Sequence, residues 1–245
     1  MSALLCSRKW TRPDVSNVRL LLDLYGVTDA QVREAVLNLA RHSREKGWWQ
    51  SYKDAFGSSL PGFEADATQI RTYEVAFVAG LLQTAGYATA IFRAGQVLEA
   101  GEAAVTRRVE GRLARQQILA REDPPHLWAV IDEAALLKLV GGPAVMAEQL
   151  RHIVEMAKRP NITIQVLPNS AGAHTAMACG FVILDFAGDL DPSIVYLETP
   201  TDNLFLERPG EIQAYTLIHN HVVAAALTAE ESSRYVLALA DRLLQ

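Results

Sequence analysis

The sequence predicts an α+β protein in which N-terminal helices precede a mixed, mostly antiparallel sheet of about four or five strands covered by helices. Three observations support this fold class. Apolar side chains recur at helical spacing through the first half of the chain, which is typical of amphipathic helices. Short β-type runs bounded by proline and polar residues follow in the second half. One interval between those runs is long enough for a crossover helix.

Two amphipathic helices open the predicted fold. They cover residues 14–26 and 28–47, and each ends in glycine, the usual residue at a helix C-terminus. We expect residues 1–47 to form a helical domain and residues 48–245 to form a second, α+β domain.

Two further helical regions precede the β-type runs. Residues 63–92 carry apolar side chains at helical spacing, so we expect helices throughout that segment. Residues 103–121 predict a longer helix in which arginines outnumber acidic residues. A basic helix of this kind more often faces solvent or a protein partner than nucleic acid.

Five β-type runs then define the predicted sheet, at residues 127–131, 162–167, 181–186, 194–197 and 204–206. Pro143 opens a helix between the first two runs, which predicts one parallel strand pair. The later runs are joined by connections too short for a crossover, so we expect them to pair antiparallel. Helices over 210–226 and 229–244 are expected to cover one face of the sheet.

Charge and cysteine content limit the function classes. The chain has 23 basic and 28 acidic residues, a net charge of −5, which is the wrong sign for a chain that binds nucleic acid over its whole surface. Cys6 and Cys179 fit no metal spacing and no disulfide framework. We therefore expect a cytoplasmic protein without metal or cofactor.

No apolar run reaches the roughly 18 residues needed to span a bilayer, so we expect no membrane insertion.

The chain lacks the common catalytic signatures. It contains no GxSxG, no Walker loop, no GxGxxG after a strand, no HExxH and no paired CxxC, which excludes the enzyme classes that depend on them. His219 and His221 are two residues apart in a predicted helix, so they point away from each other and cannot share a metal. We expect both histidines at the surface or half-buried.

Polar side chains instead follow the ends of predicted strands, where α/β layers commonly open a cleft. The expected ligand-binding residues are Trp128, Asp132, Asn169, His174, Tyr196 and Glu198. Structural alternatives stay open for several of them. Asp132 could cap the helix after its strand, His174 could bond its own loop, and Asn169 could be an ordinary surface residue.

The expected ligand is a small, largely apolar molecule bound beside the sheet. His174, Tyr196 and Glu198 would orient it, and Trp128 would form an apolar wall. If the site catalyses a reaction, the candidates for moving a proton are His174, Glu198 and Asp132.

Several sequence stretches carry a family resemblance: LLDLYGVTD (21–29), GLLQTAGYA (80–88), RRVEGRLARQQIL (107–119), DPPHLWAVIDEAAL (123–136), VGGPAVMAEQL (140–150), RPNITIQVLP (159–168), SAGAH (170–174) and VYLET (195–199). In this order they resemble actinomycete regulators of the Xre type. In that family a helix-turn-helix is followed by a C-terminal domain of unknown function, and some members are antitoxin-like. Val75 and Ala79 stand where the family usually has proline, which would let a helix continue. Asn169 stands where it often has an aromatic residue.

The resemblance implies regulator ancestry. Residues 1–47 look like the tail of a helix-turn-helix module without its DNA-reading helix, so we expect no sequence-specific DNA binding by this chain. The leading hypothesis is a regulator-derived protein that senses a small molecule or binds a partner. One alternative is a cofactor-independent cyclase or isomerase of natural-product biosynthesis, and another is an antitoxin-like co-regulator.

Apolar helical surface near residues 15–40, which the missing helices of the module would otherwise cover, predicts a homodimer or a protein partner.

Overall fold

A computed structural model describes residues 14–42, 47–95, 101–188, 192–199 and 202–244. The chain divides into two compact units after Trp48, and a short segment at Gly188 is grouped with the first unit. Within the described residues, no helix is both long and apolar enough to cross a membrane.

The first unit contains two helices, α1 (Val15–Leu24) and α2 (Ala30–His42). Asp14 and Asp29 cap them, each accepting a backbone N–H with a side-chain oxygen. Gly26 lies between the two helices with a φ of 66°, a conformation that glycine adopts without strain. Two helices are therefore present where the sequence predicted them, and residues 43–46 of the second predicted helix lie outside the described residues.

The second unit is built on a six-stranded sheet with the strands β1 (Gln69–Glu74), β2 (His126–Asp132), β3 (Ile162–Leu167), β4 (Phe181–Asp185), β5 (Ile194–Glu198) and β6 (Asn203–Leu206). Their order across the sheet is β3-β2-β1-β4-β5-β6. The pairs β1/β2 and β2/β3 are parallel, and the other three pairs are antiparallel. The α+β class and the mostly antiparallel pairing are therefore confirmed, with one strand more than the upper predicted number.

The additional strand is β1, and the prediction of helices throughout residues 63–92 is wrong there. β1 pairs with both β2 and β4 at the centre of the sheet. Ile70 and Tyr73 fit a helical spacing, but Ile70 and Thr72 are β-branched and share one face of a strand. Val75 and Ala79 lie in the connection after β1, so no helix continues through these two positions as the loss of proline had led us to expect.

Helices cover both faces of the sheet. In the described part of the second unit they are α3 (Leu60–Asp66), α4 (Ala85–Ala94), α5 (Glu102–Gln116), α6 (Glu133–Leu137), α7 (Pro143–Met156), α8 (Pro209–Ala225) and α9 (Ala229–Arg242). Short 3₁₀ helices occur at Trp48–Tyr52, Gly80–Leu82, Gln117–Ala120 and Asn169–Ala171. The predicted crossover helix is α7, and the two predicted C-terminal helices are α8 and α9.

Alternate side chains define two faces of the sheet, because successive residues of a strand point to opposite sides. Face A carries Tyr73 and its cross-strand neighbours Val130 and Phe181, and α8 packs on it. Face B carries Thr72, Val182 and Tyr196, which are neighbours across β1, β4 and β5. On this side α3 contributes Phe63, whose ring centroid lies 5.2 Å from that of Phe205 on β6.

Candidate functional site

The carboxyl ends of β1, β2 and β3 lie at one edge of the sheet because the three strands are parallel. Tyr73 is the penultimate residue of β1, and Asp132 is the last residue of β2. His174 follows β3 after the turn at Asn169–Ala171. The side chains of Tyr73, Asp132 and His174 meet at this edge, and we name these three residues the carboxyl-edge cluster.

Hydrogen bonds fix the geometry of the carboxyl-edge cluster. The Tyr73 hydroxyl donates to Asp132 Oδ2 at 2.9 Å. His174 Nε2 lies 3.3 Å from the Tyr73 oxygen and 4.0 Å from Asp132 Oδ2. The Ala176 N–H donates to His174 Nδ1 at 3.3 Å. A neutral imidazole that accepts at Nδ1 carries its proton on Nε2, so His174 presents an N–H to the other two residues.

Burial differs within the cluster. Tyr73 is completely buried, whereas the side chains of His174 and Asp132 are 13% and 15% exposed. Burial raises the pKa of Tyr73 well above its usual value, and the hydrogen bond to Asp132 raises the pKa further. The phenol therefore keeps its proton at neutral pH and acts as a hydrogen-bond donor.

Asp132 also has the structural role that its position in sequence suggests. Its Oδ1 accepts the Ala134 N–H at 2.9 Å and caps α6. The neighbouring Glu133 accepts the Asn169 N–H at 2.6 Å and the hydroxyl of Tyr235. Asp132 thus combines a helix cap through one oxygen with a contact to the cluster through the other.

Aromatic and aliphatic side chains surround the cluster. The Tyr73 ring lies 5.6 Å from the His174 ring and 6.1 Å from that of Phe181, and Phe181 lies 5.1 Å from Tyr215. The loop after β1 adjoins the loop after α6, because Lys138 Nζ donates to the carbonyl of residue 76 at 3.2 Å. These loops, the last residue of α6 and the loop after His174 expose four large apolar side chains: Phe77, Leu137, Leu139 and Met177. The edge therefore combines a few polar groups with apolar surface.

Trp128 lies on face A but outside the cluster. It pairs with Arg71 four residues before Asp132 on β2. Its Nε1–H donates to Gln165 Oε1 at 2.8 Å, and its ring lies edge-on to His219 at 5.8 Å. Trp128 is thus packed against core side chains. This placement does not support the expectation that Trp128 forms an apolar wall of a ligand site beside His174.

His219 is buried, not at the surface or half-buried as expected. It is 1% exposed, and its Nε2 has no hydrogen-bond partner in the described chain. Burial, and to a smaller extent the nearby Arg71, lower the pKa of His219 to about 4. Its imidazole is therefore neutral at physiological pH. His221, by contrast, is exposed.

The remaining expected site residues lie elsewhere. Tyr196 and Glu198 share face B, opposite the face that carries His174 and Asp132. The Tyr196 hydroxyl donates to Asn203 Oδ1 at 2.6 Å, and Glu198 is exposed. Asn169 is an exposed residue that contributes its backbone N–H to the bond with Glu133. The structure therefore brings together only Asp132 and His174 and corrects the expectation of one shared site.

Tyr73 was not predicted to be a polar member of this site. The spacing of apolar residues placed Tyr73 in a helix, because β1 was not recognised. The stretch Gln-Ile-Arg-Thr-Tyr-Glu alternates in polarity over part of its length. That alternation is the signal that identifies both the strand and the face on which Tyr73 lies.

The mixed sheet and its helical layers define an α+β domain, and the carboxyl-edge cluster lies at the carboxyl ends of its parallel strands. Residues 58–237 match the family described as Domain of unknown function (DUF5753), and the chain belongs to that family. The matched segment includes all six strands and the three residues of the carboxyl-edge cluster. No curated protein and no solved structure matches the chain.

Proposed function

We propose that this chain is a cytoplasmic, regulator-derived domain that binds a small, largely apolar molecule at the carboxyl-edge cluster. The ligand carries a hydroxyl or carbonyl group that the cluster recognises. Ancestry among actinomycete Xre-type regulators is part of the proposal. It is supported by the resemblance of stretches such as GLLQTAGYA and VYLET, which lie inside the segment that matches the family.

One observation carries the proposal: the contact between Tyr73, Asp132 and His174. Capping α6 requires only the bond from the Ala134 N–H to Asp132 Oδ1. The contacts that Tyr73 and His174 make with Asp132 Oδ2 are therefore not needed for the cap. His174 and Asp132 also keep contact with solvent. A ligand at this edge would therefore find oriented polar groups without disrupting the core.

The chemistry of the cluster suits a single polar group on an apolar molecule. His174 offers an N–H at Nε2, and Asp132 Oδ2 is an acceptor beside it. A ligand hydroxyl can accept from the imidazole and donate to the carboxylate. Exposed apolar side chains such as Phe77 and Met177 can contact the remainder of the ligand. Ligand sites commonly combine a mostly apolar lining with a few polar groups in this way.

Binding without catalysis is the function that the cluster favours. The raised pKa of Tyr73 keeps the phenol protonated, so it is unsuited to act as a base at neutral pH. The second candidate is a cofactor-independent cyclase or isomerase of secondary metabolism. It is favoured by the 3.3 Å separation between the Tyr73 oxygen and His174 Nε2, since proton transfer needs groups within hydrogen-bond reach.

Calorimetric titration with 2-naphthol tests the binding site. This probe is an apolar bicyclic ring with one hydroxyl group. We expect His174→Ala to weaken binding about tenfold, because one hydrogen bond to the ligand is lost. The control is His221→Ala, which changes an exposed histidine of α8 and should bind like the wild type. Absence of binding by the wild type, or equal binding by His174→Ala, would contradict the proposal.

A second experiment separates binding from catalysis. The wild type and His174→Ala are incubated with a small-molecule extract of an actinomycete culture, and the compounds are followed by mass spectrometry. A rise in melting temperature without consumption of any compound supports a binding domain. Consumption that requires His174 supports the enzyme instead.

A further inference from the structure

β6 is the last strand at one end of the sheet, whose order is β3-β2-β1-β4-β5-β6. It pairs with β5 along one side, and no other described strand pairs with its outer side. The outer side of an edge strand presents backbone N–H and C=O groups to which another chain can bond. β6 is therefore a place at which the sheet can gain a further strand.

The opposite edge of the sheet, formed by β3, is closed by the chain itself. The Val166 N–H donates to the hydroxyl of Ser232 at 2.9 Å, and the Leu227 N–H donates to the Val166 carbonyl at 2.9 Å. Ser232 lies in α9, which packs along β3. Because these bonds occupy both outward backbone groups of Val166, a further strand cannot pair there.

On β6, the backbone groups of Asn203 and Phe205 point away from β5. The Thr199 N–H donates to the Asp202 carbonyl at 2.9 Å, which makes these two residues a hydrogen-bonded pair of the hairpin. Hydrogen-bonded and non-hydrogen-bonded pairs alternate along an antiparallel ladder, and Asn203 and Phe205 occupy the non-hydrogen-bonded positions of β6. Their N–H and C=O groups are therefore directed outward.

Two contacts agree with this alternation. The Asn203 N–H donates to Oδ1 of the exposed Asp202 at 2.7 Å, so it is not used in the ladder with β5. The ring of Phe205 lies 5.1 Å from that of its cross-strand neighbour Tyr196, and side chains are closest in non-hydrogen-bonded pairs. A partner strand that takes the Asn203 N–H has only to displace an exposed carboxylate.

β6 lacks the residues by which proteins commonly block an exposed edge. Its sequence, Asn-Leu-Phe-Leu, contains no charged residue and no proline, both of which discourage pairing with another chain. Leu204 is 45% exposed and lies on the opposite face from Phe205, which Phe63 of α3 contacts on face B. The edge therefore presents a large apolar side chain on face A.

Opposite charges lie at the two ends of β6. The exposed Asp202 directly precedes the strand. Arg208 follows it by two residues, with an extended backbone and a side chain that is 86% exposed. The nearest carboxylate to Arg208 is that of Glu211, at a distance of 4.0 Å, so the guanidinium can still pair with a partner. The edge thus runs from an acidic group past Leu204 to a basic group.

We propose that β6 binds an extended peptide segment of a partner protein as an additional antiparallel strand. The segment exchanges backbone hydrogen bonds with Asn203 and Phe205 and places an apolar side chain beside Leu204. Its charges complement the edge, with an acidic residue beside Arg208 and a basic residue beside Asp202. An edge of four residues suits a linear segment, because backbone bonds give affinity and alternate side chains give specificity in this mode of recognition.

The probe is the heptapeptide Glu-Thr-Val-Thr-Val-Thr-Lys with an N-terminal fluorophore, titrated with the full chain and followed by fluorescence anisotropy. We expect saturable binding. Its fourth and sixth residues lie opposite Phe205 and Asn203, so methylation of their backbone nitrogens removes donors to β6 and should weaken binding at least about tenfold. The matched control carries the methyl groups on the third and fifth residues, whose N–H groups point away from β6, and should bind like the unmodified peptide.

Leu204→Lys tests the edge on the protein. It replaces an exposed apolar contact by a charge and should weaken binding about fivefold or more. Leu217→Lys is the control, because Leu217 on α8 is also exposed, at 53%, and this variant should bind like the wild type. A peptide with the two terminal charges exchanged should bind about threefold or more weakly, since like charges then meet at both ends.

Absence of binding by the wild type would overturn the proposal, as would equal binding by Leu204→Lys or by the peptide methylated at its fourth and sixth residues. Equal binding by the charge-exchanged peptide would overturn the antiparallel orientation. NMR shifts of the Asn203 and Phe205 amides that follow protein concentration without peptide would show pairing between copies of the chain instead. His174→Ala should not affect the titration, so its result is independent of the carboxyl-edge cluster.

Discussion

The phenol of Tyr73 donates a hydrogen bond to the carboxylate of Asp132 at 2.9 Å and thereby joins β1 to β2 at their carboxyl ends. Tyr73→Phe removes this bond and keeps the ring. We expect the free energy of unfolding to fall by about 1 to 3 kcal/mol, because the acceptor is a charged group in a mostly buried position. Urea denaturation measures the change.

The control for this prediction is Tyr25→Phe, since Tyr25 is 76% exposed. A change at an exposed position normally alters stability by less than about 0.5 kcal/mol. Equal urea midpoints for Tyr73→Phe and the wild type would show that the bond to Asp132 contributes nothing to stability.

The buried pair between Glu64 and Arg115 provides a second prediction. Glu64→Gln leaves the guanidinium of Arg115 without its counter-charge in a site that is only 13% exposed. We expect a loss of about 3 to 5 kcal/mol in the free energy of unfolding. The matched variant is Glu102→Gln, which breaks an exposed pair with Arg93 and should cost less than about 1 kcal/mol. Similar losses in the two variants, measured by urea denaturation, would refute the difference that burial predicts.

The burial of His219 predicts a dependence of stability on pH. The pKa of His219 falls from 6.5 to about 4 on folding, so between these values the unfolded chain binds more protons than the folded chain. The stability that this group contributes is complete above pH 6.5 and is lost as the pH falls towards 4. The expected loss is about 2 to 3 kcal/mol.

His219→Phe removes the titrating group and keeps an aromatic ring next to Trp128 and Phe181. Its unfolding free energy should therefore vary less between pH 6.5 and 4 than that of the wild type. His221→Phe, at an exposed position, should retain the wild-type dependence. Parallel pH profiles for the wild type and His219→Phe would exclude His219 as the source of the effect.

Helix α1 and Tyr25, the residue that follows it, expose an apolar surface. Leu20, Leu24 and Tyr25 are 66%, 77% and 76% exposed, and Leu22 is the buried residue of this helix. Burial of each large apolar side chain in an interface would contribute about 1.5 to 3 kcal/mol. We predict that the chain forms a homodimer through this surface, and that Leu24→Glu shifts it to a monomer in light scattering.

Leu217→Glu is the control for the dimer, because Leu217 on α8 is also exposed, at 53%, but lies outside the proposed interface. This variant should remain dimeric. A wild-type chain that stays monomeric at high concentration would contradict the prediction.

The sequence predicted the strands of the second half well, because each stands between strong boundary signals. The run that became β3 is flanked by Pro160 and Pro168, and its observed bounds equal the predicted ones. β1 lacked such boundaries. Its segment lies between two short helices, α3 and α4, so the combined spacing indicated helix. Local pattern thus identified the fold class but not the central strand.

The composition of the site depended on contacts that sequence pattern does not encode. Alternation correctly placed Tyr196 and Glu198 on the same face of a strand. Whether His174 and Asp132 lie on the same face of the sheet as Tyr196 and Glu198 depends on how the strands are arranged. In this sheet β1 lies between β2 and β4. Because β1 was not predicted, neither the partner Tyr73 nor the separation of the two faces could be predicted.

Proton and nitrogen NMR spectra of the histidine side chains test the central claim most directly. The chain is labelled with ¹⁵N and titrated with 2-naphthol. The amide of Ala176 donates to His174 Nδ1. If the ligand binds at the carboxyl-edge cluster, the resonances of His174 Nε2 and of this amide should both shift and should reach a plateau at the same ligand concentration. The resonances of the exposed His221 should stay in place. Saturating 2-naphthol that leaves His174 and Ala176 unchanged would contradict the proposed site.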